Sequence, residues 1–266
     1  MTLASRKGQA AVLGSLIVSG ALISSFAPAA QAANPVRASA RTGPAVLRNF
    51  TVGPDSRATS SNWSGYAATS GAGKYSKVSA TWKEPAVTCT SAQSIAVFWV
   101  GIDGYRSASV EQAGTLAACQ GGVASYYTWW EMYPGNAIQL VGATVRPGDQ
   151  VTSSVVRTGS SYTLQVVDAM HPANSFKVTR SCSSCKSSSA EWIAERPSGS
   201  GGLYSLPNYA TMSFNRSKAT SNTTSGSISK FPHDAVTMVG GGHTLASVSK
   251  LRKQGAKFKD TWRHAS

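Results

Sequence analysis

Short runs in which apolar and polar residues alternate, each ended by a turn-forming residue, recur from about residue 62 to residue 240. In one run, Val78, Ala80 and Trp82 alternate with polar side chains. Alternation with a period of two predicts strands with one buried face, and many short strands separated by turn signals are typical of antiparallel sandwiches. Residues 95–100 form an unbroken apolar run, which predicts a strand buried on both faces.

The sequence shows no amphipathic helix pattern: no stretch repeats apolar residues every 3.6 positions over three turns. Only 14% of the residues are charged, and 25 are glycine. That composition suits strands and turns better than long helices, which favour Ala, Leu, Glu and Lys. We therefore expect an all-β chain, an antiparallel β-sandwich of two large sheets of the concanavalin-like or jelly-roll type.

The amino terminus has the pattern of a secretory signal peptide at residues 1–32. Arg6 and Lys7 precede an apolar stretch that begins at Ala10, and a small-x-small cleavage pattern ends at Ala32. An uncleaved anchor is the alternative, but this stretch contains Gly and Ser and is short for a membrane-spanning helix. We expect a secreted, extracellular protein whose mature form has no membrane segment.

The rest of the chain divides into two parts. Residues 33–57 are rich in Ala, Arg, Pro and Gly and show no sustained period, which indicates a propeptide or flexible arm. Residues 58–266 carry the strand pattern and form one predicted β-sandwich domain with a basic C-terminal tail. Nothing in the sequence suggests an obligate oligomer, so we expect a monomer.

The four cysteines form an even set, which in an oxidising compartment predicts two disulfides. Three pairings are possible. We favour Cys89–Cys119 with Cys182–Cys185, because the two-residue spacing of the second pair keeps its ends close. A redox-active CxxC or half of a zinc site is the alternative, but no second CxxC or HxxxH motif stands near it.

The formal net charge is +14. Six of the basic residues lie within positions 250–263, where they form either a solvated tail or a patch for an anionic polymer. No helix-turn-helix, zinc-finger or RNA-binding signature accompanies them, so no nucleic-acid partner is expected. The sequence also lacks the G-x-S-x-G, H-E-x-x-H, Walker A and G-x-G-x-x-G motifs, which leaves hydrolase-fold, zincin and nucleotide-binding functions without support.

Carboxylates are scarce, so those set in apolar strands are informative. Glu131 lies in an aromatic run, Asp103 ends another apolar run, and Glu191 and Glu195 share one face of a predicted strand. Four residues of strand separate the last two by about 13 Å, which is too far for a glycosidase pair. Any active constellation must therefore draw on a second strand.

Seven motifs in a fixed order resemble the glutamic peptidases, or eqolisins. They are NWSGY at 62–66, VSATW at 78–82, WVGIDG at 99–104, EQAG at 111–114, WWEMYP at 129–134, PGD at 147–149 and AEWIAE at 190–195. The resemblance covers residues 62–196, with looser agreement beyond. It implies a two-sheet sandwich with a substrate groove and a pepstatin-insensitive acid endopeptidase made as a precursor, cutting polypeptide substrates.

The resemblance also implies site residues. The family's catalytic glutamine maps to Gln112 and its catalytic glutamate to Glu195, with Glu191 as the neighbouring competitor. Supporting positions around this pair map to Asp103, Glu131 and Trp99.

The chemistry of amide hydrolysis fits such a pair. It needs a base for water, a donor to the oxyanion and an acid for the leaving amine. Glu195 can serve as base and then acid, and the Gln112 amide, which does not titrate, can position the water and bind the oxyanion. No metal or other cofactor is required. Arg196 directly follows Glu195, and a neighbouring cation is expected to hold the pKa of that carboxyl down.

Two other functions fit the same composition. A carbohydrate-binding β-sandwich module would use Gln112, Glu131 and the tryptophans to bind sugars without turnover. A glycoside hydrolase would use Glu131 with Glu195. A water shared by Glu195 and Gln112 further requires that both side chains lie on one sheet and reach solvent.

Overall fold

The computed structural model describes residues 41–43, 47–50, 56–69, 74–141 and 145–266, with backbone only for 47–50. The predicted signal peptide lies outside these residues. The described part contains nineteen strands and two 3₁₀ turns, and no α-helix. The strands are β1 Leu47–Phe50, β2 Ser56–Ser60, β3 Trp63–Thr69, β4 Tyr75–Lys83, β5 Gln93–Asp103, β6 Val110–Gln120, β7 Val123–Tyr133, β8 Asn136–Val141, β9 Gln150–Thr158, β10 Ser161–Asp168, β11 Phe176–Ser181, β12 Ser189–Glu195, β13 Ser198–Gly199, β14 Gly202–Leu203, β15 Thr211–Ser221, β16 Ser225–Ser227, β17 His233–Gly240, β18 His243–Val248 and β19 Phe258–Trp262. The 3₁₀ turns are Pro172–Asn174 and Ile228–Lys230.

Two large sheets form the body. The first has the central order β8-β7-β6-β5-β12-β3-β17, all antiparallel. The second has the order β16-β15-β4-β9-β10-β11, also antiparallel. Strand β15 belongs to both, because its first half pairs with β19 and its second half with β4. The predicted antiparallel β-sandwich is confirmed.

The alternating residues face where the sequence pattern predicts. Val78, Ala80 and Trp82 of β4 are buried while their neighbours are partly or fully exposed. Strand β5 is buried along both faces, as its unbroken apolar run predicts. One face, with Phe98 and Val100, contributes to the main core; the other, with Trp99, contributes to a second apolar cluster.

Two glycines let β5 and its neighbours approach closely. A methyl group at Gly114 would lie 1.9 Å from the Phe98 carbonyl oxygen, and one at Gly101 would lie 2.8 Å from the Trp99 ring. Gly101 therefore keeps space for the indole of Trp99, and Gly114 keeps space for the backbone of Phe98 and Trp99 on the adjacent strand. Any side chain at either position would push Trp99 or the adjacent backbone aside.

Described segments on both sides of the predicted domain core contain paired strands. Residues 47–50 form β1, which pairs with β2, and the predicted boundary between residues 57 and 58 falls inside β2. The basic C-terminal segment is not a loose tail, because β19 pairs with both β15 and β18.

The structure joins Cys89 to Cys119 and Cys182 to Cys185. In the described residues, no helix has the length and apolar character needed to cross a bilayer.

Candidate functional site

Four of the side chains predicted for the site lie on neighbouring strands of the first sheet. Gln112 of β6 stands opposite Glu131 of β7, and its Nε2 donates a hydrogen bond of 3.1 Å to Glu131 Oε2. Trp99 of β5 donates from Nε1 to Glu195 Oε2 of β12 at 2.9 Å. In each strand these positions belong to the face that carries the second apolar cluster. The fold thus brings together Glu195, Gln112, Glu131 and Trp99.

The Glu195 carboxyl is 1% exposed, and burial is the largest reason that its pKa is raised well above the ordinary value. The charge of Glu131 raises the pKa further. Hydrogen bonds from Trp99, the backbone N–H of Gly43 and the side chain of Asn62 act in the opposite direction, since they stabilise the carboxylate. Burial outweighs them, so the net effect favours the protonated form of this carboxyl.

Glu131 is also protonated over the acid range. Burial raises its pKa to about 8, although the Gln112 amide, the charge of Arg41 and the backbone of Ile138 all favour the carboxylate. Two buried carboxyls that interact cannot both ionise easily. The Glu131–Glu195 pair therefore keeps at least one proton through the acid range.

A short segment of the predicted propeptide lies against Gln112, Glu131 and Glu195. The Thr42 hydroxyl accepts a hydrogen bond of 2.8 Å from Gln112 Nε2 and donates to Glu131 Oε2. The next residue, Gly43, directs its N–H to Glu195 and accepts a 3.1 Å hydrogen bond from Trp63 Nε1 on its carbonyl. Two consecutive residues thus reach both groups, with the Thr42 side chain at the glutamine and the Gly43 backbone at the glutamate.

The same segment is held on its amino-terminal side by backbone pairing. Arg41 and Ser198 exchange both backbone hydrogen bonds, at 2.7 and 2.8 Å, in an antiparallel bridge. Extended peptides commonly bind proteins by adding to a strand edge in this way. Residues 41–43 therefore lie in the site as an extended peptide would.

Gln112 and Glu195 are both buried, at 0% and 1% exposure. The expectation that both side chains reach solvent is therefore not met while residues 41–43 lie against them. The expectation that they share one sheet is met.

Glu191 and Asp103 lie elsewhere, in a second acidic group that includes Glu111. Asp103 accepts hydrogen bonds from the backbone N–H groups of Ser187 and Ser188, at 2.6 and 2.8 Å. The pKa of Glu191 is raised well above its ordinary value, first by burial and then by the charges of Asp103 and Glu111. This group anchors the start of β12 and makes none of the contacts described for residues 41–43.

Contacts, not strand register, distinguish the two glutamates of β12. Register places Glu191 level with Gln112, since both stand opposite Gly101. Only Glu195, however, interacts with Trp99, Glu131 and the segment that Gln112 also binds.

The prediction that Arg196 lowers the pKa of Glu195 is wrong. Successive strand residues point to opposite faces, and the Arg196 Nε donates to the Ser61 carbonyl at 2.9 Å instead. Its charge is not among the causes that shift the Glu195 pKa.

Sequence reasoning missed Thr42 and Gly43 because the segment around them has no periodic pattern. It quoted Asn62 and Trp63 as part of a motif without assigning them a role. Trp63 begins β3 and stands opposite Glu195 of β12, and Asn62 directly before it donates a side-chain hydrogen bond to Glu195.

Two clusters in the described residues have donor atoms close enough for a metal ion, and neither includes Gln112 or Glu195. One contains Cys182 and Cys185, which are joined in a disulfide. The other contains Asp149, Asp168 and His171, whose carboxylates already accept backbone N–H groups. The disulfide and these hydrogen bonds give both clusters a structural role.

Comparison with known proteins gives a consistent result. The model of the Peptidase A4 family matches residues 61–259. Aspergillopepsin-2 of Aspergillus niger is 30% identical over 198 residues, which are 73% of this chain and 64% of that protein. The chain thus spans less than two thirds of the length of this relative.

Solved structures share the fold. A scytalido-glutamic peptidase bound to a transition-state analog inhibitor aligns with a TM-score of 0.62 and 22% identity, covering 76% of this chain and 98% of that one. Aspergilloglutamic peptidase from Aspergillus niger aligns with a TM-score of 0.53 and 24% identity, covering 64% of this chain and 99% of that one. At these identities the likeness concerns the β-sandwich.

Proposed function

The chain belongs to the peptidase A4 family, the glutamic peptidases that its ordered motifs resemble, and on that premise we propose that it is a secreted acid endopeptidase. Its substrates are polypeptides, and it acts as a monomer without a metal or other cofactor. Glu195 and Gln112 are the proposed catalytic residues.

The proposed reaction is hydrolysis by an activated water. Glu195, as carboxylate, takes a proton from water while the water oxygen attacks the carbonyl carbon of the peptide. The Gln112 amide donates to the oxyanion that forms. Glu195 then returns the proton to the amide nitrogen as the C–N bond breaks, which releases an amine and a carboxylic acid.

The observation that carries this proposal is the position of Thr42 and Gly43 between Gln112 and Glu195. The Gly43 N–H directs a hydrogen bond to Glu195, where the leaving nitrogen must receive its proton, and the Thr42 hydroxyl accepts one from Gln112. A polypeptide substrate in the same position would place a backbone N–H at Glu195 and an oxygen atom within reach of the Gln112 amide.

Glu131 and Trp99 have supporting roles. The protonated Glu131 accepts a hydrogen bond from the Gln112 amide and so holds the amide in place. Trp99 fixes the direction of the Glu195 carboxyl and stabilises its ionised form. Asp103 supports the strand that carries Glu195 through residues 187–188.

Residues 33–57 act as a propeptide in this proposal, and residues 41–43 keep the precursor inactive in two ways. They occupy the substrate position, and they exclude water from Glu195, whose raised pKa then keeps the base protonated. Removal of the segment lets water reach the carboxyl, lowers its pKa and produces the active form.

Denatured casein, with pepstatin present and pH varied from 2 to 7, tests the proposal. The purified chain should cleave casein in the acid range, and acidification should release a fragment that contains residues 41–43, as intact-mass analysis would show. Gln112→Ala should lower kcat/KM by about 10² to 10³, as expected for loss of an oxyanion donor. Full casein cleavage by Gln112→Ala and Glu195→Gln would reject the pair, and sugar binding without proteolysis would favour the carbohydrate-binding module.

A further inference from the structure

A small basic pocket lies on the loop that joins β18 to β19, away from the proposed catalytic residues. Its volume is about 220 Å³, below the roughly 300–1,000 Å³ typical of sites that enclose a whole small molecule. Four of its six lining residues are cations. The lining is Ser249, Arg252, Lys253, Lys257, Phe258 and Lys259.

The loop geometry holds these cations together. Arg252 and Lys257 exchange two backbone hydrogen bonds, at 2.7 and 3.1 Å, which close a tight turn. The Ser249 hydroxyl accepts the backbone N–H of Lys259 at 3.0 Å and so ties the two sides of the pocket. The basic pocket is thus fixed by backbone bonds that do not use the charged groups.

In the part of the chain that the structure describes, no carboxylate pairs with the pocket's cations. None of its four cations forms an ion pair with a described residue. Asp260, the one acidic residue between positions 249 and 263, is buried and accepts a 2.7 Å hydrogen bond from Tyr209. Mutual repulsion among the four cations therefore favours an anionic ligand.

The wider surface reinforces this conclusion. Every acidic residue that the structure describes is at most 5% exposed, so the described surface carries cations without exposed carboxylates. Lys250 and Arg263 continue the positive surface beside the basic pocket, and both are exposed. A field of one sign attracts a polyanion more strongly than a single small anion.

The chemistry of the ligand follows from the acid range proposed for the enzyme. Carboxylates have pKa values near 4 and lose their charge in acid. Phosphodiesters and sulfate esters are anions of strong acids and stay ionised there, as do lysine and arginine. Lysine binds such groups as a point charge.

Aromatic side chains distinguish between polyanions. Proteins that hold single-stranded nucleic acid combine basic grooves with exposed aromatics on which bases stack. Phe258 in the basic pocket is fully buried, and no aromatic residue is among the exposed large apolar side chains of the described surface. The pocket lining therefore offers cations for a polymer backbone but no exposed aromatic ring on which a base could stack.

We propose that the basic pocket binds ester anions, phosphodiester or sulfate ester, of an extracellular glycopolymer. The polymer holds the enzyme at an anionic surface while the separate catalytic site stays free. This inference uses the proposed acid range to choose the ligand, but its test does not depend on peptidase activity.

Titration of the purified full chain with four polymers tests the proposal. The probes are glycerol-phosphate teichoic acid, dextran sulfate, hyaluronate and oligo(dT) of similar charge, each measured by calorimetry at pH 4 and pH 7. Teichoic acid, dextran sulfate or both should bind at both pH values and weaken as salt is added, and the stronger of the two identifies the ester. Hyaluronate should bind less at pH 4 than at pH 7, because its carboxylates become protonated.

Paired substitutions locate the site. Lys253→Gln with Lys257→Gln should weaken binding of the preferred polymer about 25-fold, since each cation beside an anionic surface contributes about fivefold. The control is Lys77→Gln with Lys177→Gln, which removes the same charge from exposed positions on β4 and β11 and should leave affinity within about twofold. Melting temperatures of both variants establish that they are folded.

Three results would overturn the proposal. One is that neither teichoic acid nor dextran sulfate binds at pH 4. Another is an equal loss in both paired variants, which would indicate net charge and not the pocket. The third is tighter binding of oligo(dT) than of either glycopolymer at equal charge, which would require base contacts.

Discussion

Glu84 provides a test of how buried carboxyls govern the pH range of this fold. It follows β4, is 2% exposed, and its pKa is raised from 4.5 to about 8, chiefly by burial. A carboxyl whose pKa is higher in the folded state stabilises the fold fully below its unfolded pKa. That contribution is lost as the pH rises from 4.5 towards 8.

The magnitude follows from the pKa values. At 1.36 kcal/mol per pH unit, the rise from 4.5 to about 8 amounts to about 5 kcal/mol over the full range, of which about 3 kcal/mol is lost by pH 7. Glu84→Gln keeps the shape of the protonated acid but does not titrate. The variant should match the parent near pH 4 and exceed its stability by about 3 kcal/mol at pH 7.

Urea unfolding at pH 4 and pH 7 measures the difference directly. Both chains should carry Glu195→Gln, so that self-cleavage does not interfere. Asp168→Asn is a control of opposite sign: burial alone would raise the pKa of Asp168, but hydrogen bonds from Asn174, His171 and Met170 lower it. Asp168→Asn should therefore lower the free energy of unfolding more at pH 7 than at acid pH. A Glu84→Gln effect that is the same at both pH values would refute the reasoning.

Three further substitutions test the site and its packing. Trp99→Phe removes the hydrogen-bond donor to Glu195, so kcat/KM for casein should fall about tenfold and the acid limb of its pH profile should move to higher pH. Trp129 lies on the same face, but its indole N–H has no partner, so Trp129→Phe should leave the acid limb in place. Thr42→Val removes the hydroxyl that contacts Gln112 and Glu131, so casein cleavage should begin earlier after acidification than in the parent, and an unchanged lag would contradict the role of the segment. In urea titrations, Gly114→Ala should lower the free energy of unfolding by about 3 kcal/mol, because the methyl group would overlap the Phe98 carbonyl. Gly201 has open space around it, so Gly201→Ala should change that free energy by under about 1 kcal/mol.

The strands were predictable because alternation reports directly on which face is buried. Val78, Ala80 and Trp82 point to the core as their period of two requires, and β5 is buried on both faces as its apolar run requires. The pairing of distant strands was not predictable from this pattern. That β12 lies between β3 and β5, and so brings Glu195 towards Trp99, depends on long-range pairing that no local period encodes.

The candidate site was predictable only in part, for a similar reason. Ordered motifs identified Gln112, Glu131, Trp99 and Glu195, which the fold brings together. The sequence neighbour Arg196 was wrongly expected to lower the pKa of Glu195, because strand alternation directs the Arg196 side chain to the other face. The contacts of Thr42 were not predictable, because its segment has no periodic pattern and its position depends on the strands that it packs against.

The most direct test of the central claim compares two isosteric substitutions on one strand. Glu195→Gln and Glu191→Gln change the same chemical group on the same face of β12, and both residues are buried. For equal amounts of folded, acid-treated protein at pH 4, casein hydrolysis by Glu195→Gln should fall about 10³-fold or more, since the base and acid are lost together. Glu191→Gln should keep most of the parent rate. Equal rates in the two variants, or a loss confined to Glu191→Gln, would contradict the assignment of Glu195.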